Sequence, residues 1–298
     1  MQMNLGQLVD EFGSTDKCRD YLEALRWPDG VECPGCGSKS VSRLVKRKQF
    51  DCNSCRKRFS VLAGTVLQDS KLPLWKWFAA VHLMCESKKG ISALQVQRML
   101  GVKSYETAWY LCHRIRSAMD DGTAPLLHGV VEVDETYVGG KVRGRGRGYR
   151  DNKTVVVGAI ERGGNLRVRT APDNSRRTLH RFIGETVADE AQAIYTDEWT
   201  GYVGVDDEDT RHETVAHGSD EYVRGDVHTN TVESAWSLFD RAVIGSYHQL
   251  SKKHLDAYLG EFEYRFNNRE NPHLFRDTVV RLIEAEMLTY KALTGTGS

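Results

Sequence analysis

Three acidic residues stand at sequence positions where they could bind metal ions for phosphodiester chemistry. Asp134 lies inside the β-branched run 130–138, which predicts a strand, and Asp197 closes a second short strand over 193–197. Acids on adjacent strands can converge, and Glu233, on the first turn of a predicted helix, can join them. Two Mg2+ or Mn2+ ions about 3.5 to 4 Å apart would share these carboxylate oxygens. Any one of the acids, taken alone, is as compatible with a solvated surface charge.

His228 is a further candidate, five residues before Glu233. Its imidazole could contact the scissile phosphate, and it could equally be a hydrogen-bonding residue at the start of the helix. No serine, tyrosine or cysteine nucleophile is assigned, because an in-line displacement forms no covalent protein intermediate.

Four of the seven cysteines have the spacing C-x2-C-x15-C-x2-C. Two tight knuckles at this spacing can present four thiolates to one Zn2+ in a tetrahedron. The odd count and the close pairs favour metal binding over disulfides. The sequence between the two cysteine pairs predicts a basic hairpin. Its hydrophobic core is too small for it to fold without the metal. The expected zinc ligands are Cys33, Cys36, Cys52 and Cys55, and the expected buried packing residues are Cys18, Cys85 and Cys112.

The basic residues are clustered, although the 298 residues include 41 basic and 41 acidic side chains and carry no net charge. Clustered lysines and arginines are typical of surfaces that contact nucleic-acid phosphates. One cluster surrounds the cysteines, another is the Arg/Gly segment 140–150, and a third opens a predicted helix after Ser251. An ordinary charged loop explains the Arg/Gly segment nearly as well. Two further arginines lie in a predicted helix over 104–119. The predicted DNA-binding residues are Arg56, Lys57, Arg58, Arg114, Arg116, Arg143, Arg145, Arg147, Lys252 and Lys253.

The order of predicted elements divides the chain into three domains. Residues 1–72 would hold an N-terminal helix and a zinc ribbon, 73–124 a helix-turn-helix DNA-binding segment, and 125–290 a catalytic domain. In the catalytic domain, three strands, a helix and the Asp197 strand give the order βββαβ, followed by helices. This order predicts an α/β fold with a ribonuclease H-like mixed sheet.

The middle segment has the pattern of a helix-turn-helix, with helices over 74–87, 92–99 and 104–119. The third helix carries aromatic and basic side chains, including Arg114 and Arg116, that could enter a major groove. A packed helical spacer with solvated charges is the competing interpretation.

Several longer motifs resemble those of the zinc-ribbon DDE transposases of prokaryotic insertion sequences, the ISXO-type group. The resemblance extends from about residue 18 to about residue 280. The motifs around the acids are Val-Asp-Glu-Thr-Tyr-Val-Gly-Gly at 133–140, Tyr-Thr-Asp-Glu-Trp-Thr-Gly-Tyr at 195–202 and His-Thr-Asn-Thr-Val-Glu-Ser-Ala-Trp-Ser-Leu-Phe at 228–239.

The resemblance implies a transposase that binds transposon ends, cleaves DNA and joins the 3′-hydroxyls to a target by two-metal phosphodiester transfer. Asp134, Asp197 and Glu233 would then be the catalytic residues and the Mg2+ ligands. Some members of the group have asparagine in the third place, so Asn230, which shares a helix face with Glu233, is a rival ligand. The group usually has lysine seven residues after the third acid. Here Asp240 takes that place, where its charge would repel phosphate or could bind a second cation.

The same residues are compatible with two other functions: a zinc-ribbon DNA-binding protein without catalysis, and a metal-dependent nuclease that does not join ends. The expected partner is double-stranded DNA, and the pairing of two ends predicts a homodimer or larger assembly. The sequence has neither a signal peptide nor an apolar run of about 18 residues, which predicts a soluble, cytoplasmic, nucleoid-associated protein with no membrane partner.

Overall fold

The computed structural model describes residues 3–120, 124–140, 152–206, 210–216 and 223–295. The chain forms two compact units: one contains the residues up to Met119 together with those from Glu270 onward, and the other contains Asp120–Arg269. No helix in the described ranges is long and apolar enough to cross a membrane.

The first unit begins with two helices that start at side-chain N-caps. Asn4 accepts a hydrogen bond from the backbone of Gln7, whose side chain returns one to the Asn4 backbone, so the first helix has a capping box. Ser14 caps the second helix through a single hydrogen bond, which its hydroxyl accepts from Lys17 N. These helices are α1 (Leu5–Phe12) and α2 (Thr15–Arg26).

The predicted ribbon hairpin is a three-stranded antiparallel sheet in the order β1-β2-β3. Phe50 and Phe59 face each other across two of its strands with ring centroids 5.6 Å apart, and Trp27 packs edge-on against both. So small a core agrees with the expectation that a metal completes this fold. The strands are β1 (Val41–Leu44), β2 (Gln49–Cys52) and β3 (Arg58–Phe59).

The three helices predicted after the ribbon are confirmed. Ser92 caps the second of them through Gln95 N, and Gly101 ends it in a left-handed conformation with φ 57°, which glycine adopts without steric cost. The helices are α3 (Leu74–Glu86), α4 (Ala93–Leu100) and α5 (Tyr105–Met119).

The second unit is built on a five-stranded mixed sheet. The strand order is β6-β5-β4-β7-β8, in which β4 pairs antiparallel with β5 and β5 with β6, while β4 pairs parallel with β7 and β7 with β8. The first four strands were predicted, and the edge strand β8 was not. The strands are β4 (Val130–Val138), β5 (Thr154–Glu161), β6 (Leu166–Ala171), β7 (Ala193–Asp197) and β8 (Arg211–Val215).

Helices cover both faces of this sheet. Val131 and Val133 of β4 point to a core that includes Phe182. The opposite face packs against a second core that includes Trp236 and Phe239. Alternation along β4 therefore places Glu132 and Asp134 on the face of Trp236. This α/β core is the ribonuclease H-like mixed sheet that we expected. The helices of this unit are α6 (Arg176–Thr186), α7 (Asn230–Ala242) and α8 (Leu255–Asn267).

The last two helices belong to the first unit, whereas the predicted catalytic domain ran to residue 290. The reason is an aromatic cluster: the ring centroid of Phe275 lies 5.7 Å from that of Phe12 and 5.8 Å from that of Phe78. The predicted boundary at 72/73 also falls inside this unit. The helices are α9 (Leu274–Glu284) and α10 (Tyr290–Thr294).

Candidate active site and zinc centre

The four cysteines of the ribbon converge on one point. Their Sγ atoms all lie within 4.8 Å of one another, and two pairs, Cys33–Cys55 and Cys36–Cys52, are 3.6 Å apart. Zn–S bonds of about 2.3 Å in a tetrahedron place the sulfurs about 3.8 Å apart. The donor set and its spacing therefore fit a single Zn2+.

Backbone N–H groups support the thiolates of this centre. Gly35 N donates to Cys33 Sγ and Cys55 N donates to Cys52 Sγ, each at 3.4 Å. The hydrogen bond from Cys55 lowers the pKa of the Cys52 thiol and so favours the thiolate that a metal needs. The other three cysteines, Cys18, Cys85 and Cys112, are buried away from the centre, as expected.

The strand register aligns the first two acids of the second unit. The parallel ladder between β4 and β7 pairs Val130 with Ala193 and ends where Glu132 pairs with Tyr195. The same offset, continued by two residues beyond the end of the ladder, would pair Asp134 with Asp197. The two acids are near enough for the charge of Asp197 to act on the pKa of Asp134. Both acids are partly buried.

The pKa of Asp134 is shifted by burial and by the neighbouring acids. Burial raises the pKa of its carboxyl to about 7, and the negative charges of Glu135, Asp197 and Glu233 contribute to this increase. The three carboxylates do not converge as tightly as the cysteines do, within the part of the chain that the structure describes.

Protein donors orient the second and third acids. Trp199 N donates to Asp197 Oδ1 at 2.9 Å, and Thr229 Oγ1 donates to Glu233 Oε1 at 2.9 Å. Glu233 lies on the first turn of α7, as predicted, and is exposed, as is its rival Asn230.

No local sequence pattern indicated the role of Glu132, which is fully buried. Its Oε2 accepts hydrogen bonds from the backbone N of Thr231 at 2.7 Å and of Val232 at 3.0 Å, and its Oε1 accepts one from Thr231 Oγ1 at 2.8 Å. The N–H groups in the first turn of a helix have no partner within the helix. Glu132 therefore caps α7 from a strand about a hundred residues earlier.

Arg162 neutralises this buried carboxylate. Its Nε donates to Glu132 Oε1 at 2.7 Å, and its Nη2 lies 2.9 Å from Nδ1 of His228. The same Nδ1 lies 3.2 Å from Glu132 Oε1, so His228 contacts both the guanidinium and the carboxylate. His228 thus contacts the cap of α7. A contact of His228 with the scissile phosphate stays a prediction.

Two of the predicted DNA-binding arginines are inside the first unit, and that expectation is corrected. Arg114 and Arg116 of α5 are 4% and 1% exposed. The Arg114 guanidinium donates to the Gln68 carbonyl and lies 4.9 Å from the ring centroid of Trp77. Aromatic faces stabilise a cation that is removed from water. In this structure α5 does not offer these charges to a DNA groove.

The other predicted cationic contacts differ in their surroundings. Arg56, Lys57 and Arg58 are exposed on the ribbon, but Arg58 forms a two-pronged ion pair with Asp51 at 2.7 and 3.0 Å. Asp240, in the last turn of α7, is exposed. Lys252 and Lys253 are exposed on a short 3-10 turn before α8, whereas Arg143, Arg145 and Arg147 lie outside the described residues.

A tetrahedral cysteine centre on a small ribbon, in a chain whose ribonuclease H-like core carries acids on β4, β7 and α7, defines a zinc-ribbon protein of the transposase class. Comparisons with known proteins agree. A family model described as a transposase zinc-ribbon domain matches residues 13–58, and one described as an ISXO2-like transposase domain matches residues 126–267. A protein of Halobacterium salinarum, described as an uncharacterized protein in transposable element ISH50, is 32% identical over 276 residues, which cover 86% of this chain and 92% of that protein. The chain belongs to the ISXO2-like transposase family, as its motifs indicated.

One solved structure is similar at a low level. It is a chain in the cryo-EM structure of a simian T-cell lymphotropic virus intasome in complex with PP2A regulatory subunit B56 gamma. The match has a TM-score of 0.31 and 11% identity, and it covers 63% of this chain and 65% of the other. A similarity of that size does not bear on function.

Proposed function

We propose that this protein is an active transposase in which Asp134, Asp197 and Glu233 bind two divalent cations. In this role it binds the ends of its element, cleaves DNA strands and joins the 3′-hydroxyls to target DNA. The register of β4 against β7, which extrapolates to Asp134 beside Asp197, is the observation that carries the proposal. Membership of the transposase family supplies the DNA substrate.

The three acids suit hard cations. They come from two neighbouring strands and one helix. Burial raises the pKa of Asp134 to about 7, and the charges of Asp197 and Glu233 add to this increase. A carboxylate set that cannot ionise freely by itself gains most from a cation that takes oxygen ligands, such as Mg2+ or Mn2+. When bound, such ions supply charge neutralisation at the phosphate and activation of the attacking oxygen.

The residues around the acids would orient them. The Trp199 backbone fixes one oxygen of Asp197, and Thr229 fixes one oxygen of Glu233, so both carboxylates enter the reaction with limited rotation. We prefer Glu233 over Asn230 as the third ligand, because a carboxylate binds Mg2+ more strongly than an amide does.

DNA contacts would come from exposed cations in each unit. Arg56 and Lys57 of the ribbon and Lys252 and Lys253 before α8 are exposed lysines and arginines of the kind that bind backbone phosphates. Such contacts would position the duplex without reading its sequence. We expect two or more protomers on DNA, since two ends must be paired.

The test uses purified full-length protein with Mg2+ or Mn2+, labelled DNA that carries the ends of the element, and a plasmid target. Wild-type protein should give nicked and joined products. Asp134→Asn should abolish both and leave end binding intact. Glu185→Gln is the matched control, since it neutralises an exposed carboxylate of the same unit that pairs with Arg169.

Three outcomes would contradict the proposal. Nicked DNA without joined products would indicate a nuclease, and end binding without cleavage would indicate a DNA-binding protein. Equal loss of cleavage and binding in Asp134→Asn would show that the acid serves the fold rather than the reaction.

A further inference from the structure

The helix that carries Glu233 is held by a carboxylate that takes no part in the proposed metal site. We infer that Glu132 is a positioning residue, which fixes where Glu233 stands relative to Asp134. This inference rests on the proposed function, since it assumes that Asp134 and Glu233 serve the same metal ions.

Asp134 and Glu233 are connected through Glu132 by a short series of covalent and hydrogen bonds. Glu132 and Asp134 are two residues apart on β4 and share one face of the sheet. Thr231 and Val232, whose backbone N–H groups bind Glu132, immediately precede Glu233 on α7. Any movement of the first turn of α7 on β4 therefore moves Glu233 by a similar amount.

The buried charge makes this link stiff. An ionised carboxylate without solvent exposure is costly unless several donors compensate it. Arg162 is one such donor, and it also binds the carbonyls of Asp226, at 2.7 Å, and His228, at 3.0 Å. It thereby ties the chain that leads into α7 to the same carboxylate.

Replacing Glu132 by glutamine tests the link with little change in shape. The amide keeps one acceptor but turns an NH2 group toward donors on Thr231 or Arg162, so the turn must shift. Loss of a residue that orients metal ligands typically weakens metal binding by about 10- to 100-fold. We expect a weakening of that size in the Mn2+ affinity of zinc-loaded, full-length Glu132→Gln, measured from the electron paramagnetic resonance signal of free Mn2+.

Glu263→Gln is the matched control. Glu263 accepts a hydrogen bond from Val168 N at 2.8 Å and one from Arg167 Nη1 at 3.2 Å, so it too receives a backbone N–H and an arginine. It fastens α8, however, and not the helix of Glu233. Its Mn2+ affinity should equal that of the wild type, even if its melting temperature falls. Equal Mn2+ affinities for both glutamine variants would overturn the inference.

A milder variant keeps the test usable if Glu132→Gln does not fold. Thr231→Val leaves the carboxylate and both backbone donors in place and removes only the Oγ1 donor. Its control is Thr170→Val, which removes an equivalent hydroxyl bond to Asp256 on α8. Thr231→Val should weaken Mn2+ binding and Thr170→Val should not; the reverse order, or no difference, would contradict the inference.

Asp134→Asn separates the inference from the proposed function. If it binds Mn2+ like the wild type, the proposed metal site is wrong and the role of Glu132 fails with it. If it loses Mn2+ while Glu132→Gln retains wild-type affinity, the metal site stands and only the positioning role is refuted.

Discussion

Gly158 lies opposite Asp134 in the β4–β5 ladder, and the indole of Trp236 occupies the space where a side chain would be. A Cβ at this glycine would be 2.5 Å from Cζ2 of Trp236, closer than any real contact. Because Gly158 has no side chain, α7 can pack close to β4, the strand that carries Asp134.

Gly158→Ala should therefore force α7 away from the sheet. We expect a loss of about 1 to 3 kcal/mol in the free energy of unfolding, as for other overpacked cores, together with lower cleavage activity. Urea unfolding measures the first. Gly184→Ala is the control, since nothing lies within 4 Å of its Cβ on α6; it should raise stability by about 0.4 to 1 kcal/mol. Equal effects at the two sites would contradict the packing argument.

The raised pKa of Asp134 predicts how the Mg2+-free protein responds to pH. In the folded protein the pKa of this carboxyl is about 7, whereas in the unfolded chain it is 3.8. Between these two pH values the carboxyl is protonated in the folded state and ionised in the unfolded state. The folded state binds more protons in this window, so the contribution of Asp134 to stability is present at its lower end and is lost as the pH rises through it. Urea unfolding of the zinc-loaded protein at several pH values should show this decline. Asp134→Asn should flatten it, and an unchanged slope would refute the assignment.

The zinc centre predicts a selective effect of cysteine substitutions. Cys52→Ser removes one of four converging thiolates, so bound zinc should be lost and the ribbon should become sensitive to protease. Elemental analysis and limited proteolysis measure these changes. Cys85→Ser should keep its zinc, because that thiol packs against Thr278 Oγ1, at 3.3 Å, rather than against the centre. Retention of zinc by Cys52→Ser would be incompatible with a four-thiolate site.

The burial of Arg114 predicts that it stabilises the fold instead of binding DNA. Arg114→Met should lower the free energy of unfolding by about 1 to 3 kcal/mol, because the Gln68 carbonyl loses its donor. The DNA affinity of the folded variant should not change. Lys57→Gln, at an exposed lysine, should instead weaken DNA binding and reduce the slope of log Kd against log salt by about one. An Arg114→Met protein of normal stability and weak DNA binding would restore the groove-binding interpretation of α5.

The exposed carboxylate of Asp240 predicts a gain from charge reversal. Asp240→Lys should bind transposon ends more tightly and with a steeper salt dependence, since it replaces repulsion of phosphate by attraction. Asp240→Asn, which only removes the repulsion, should fall between the two. If both variants bind DNA as the wild type does, this position does not face the duplex.

Local sequence predicted β4 and β7 to the residue, because each is a β-branched or aromatic run with clear boundaries. It missed β8, whose sequence Arg-His-Glu-Thr-Val at 211–215 has little apolar alternation; this edge strand forms by pairing with β7. The cysteine spacing was sufficient to predict the zinc centre, since all four ligands lie in one short segment.

Long-range contacts explain what the sequence could not predict. Glu132 looks like one more acid beside Asp134, and only its bonds to α7 distinguish it. Arg114 and Arg116 have the charge pattern of a surface helix, yet packing within the first unit buries them. Local sequence does not show which of two neighbouring acids, Glu132 or Asp134, binds a helix about a hundred residues later.

The return of α9 to the first unit has a consequence for biosynthesis. The aromatic cluster that joins Phe12 and Phe78 is incomplete until Phe275 has left the ribosome. The acid-bearing core can therefore finish folding while the unit that precedes it on the chain is still open. A translation product that stops before Glu270 would carry the three acids but would leave apolar surface uncovered around Phe78, which makes it a substrate for quality-control proteases.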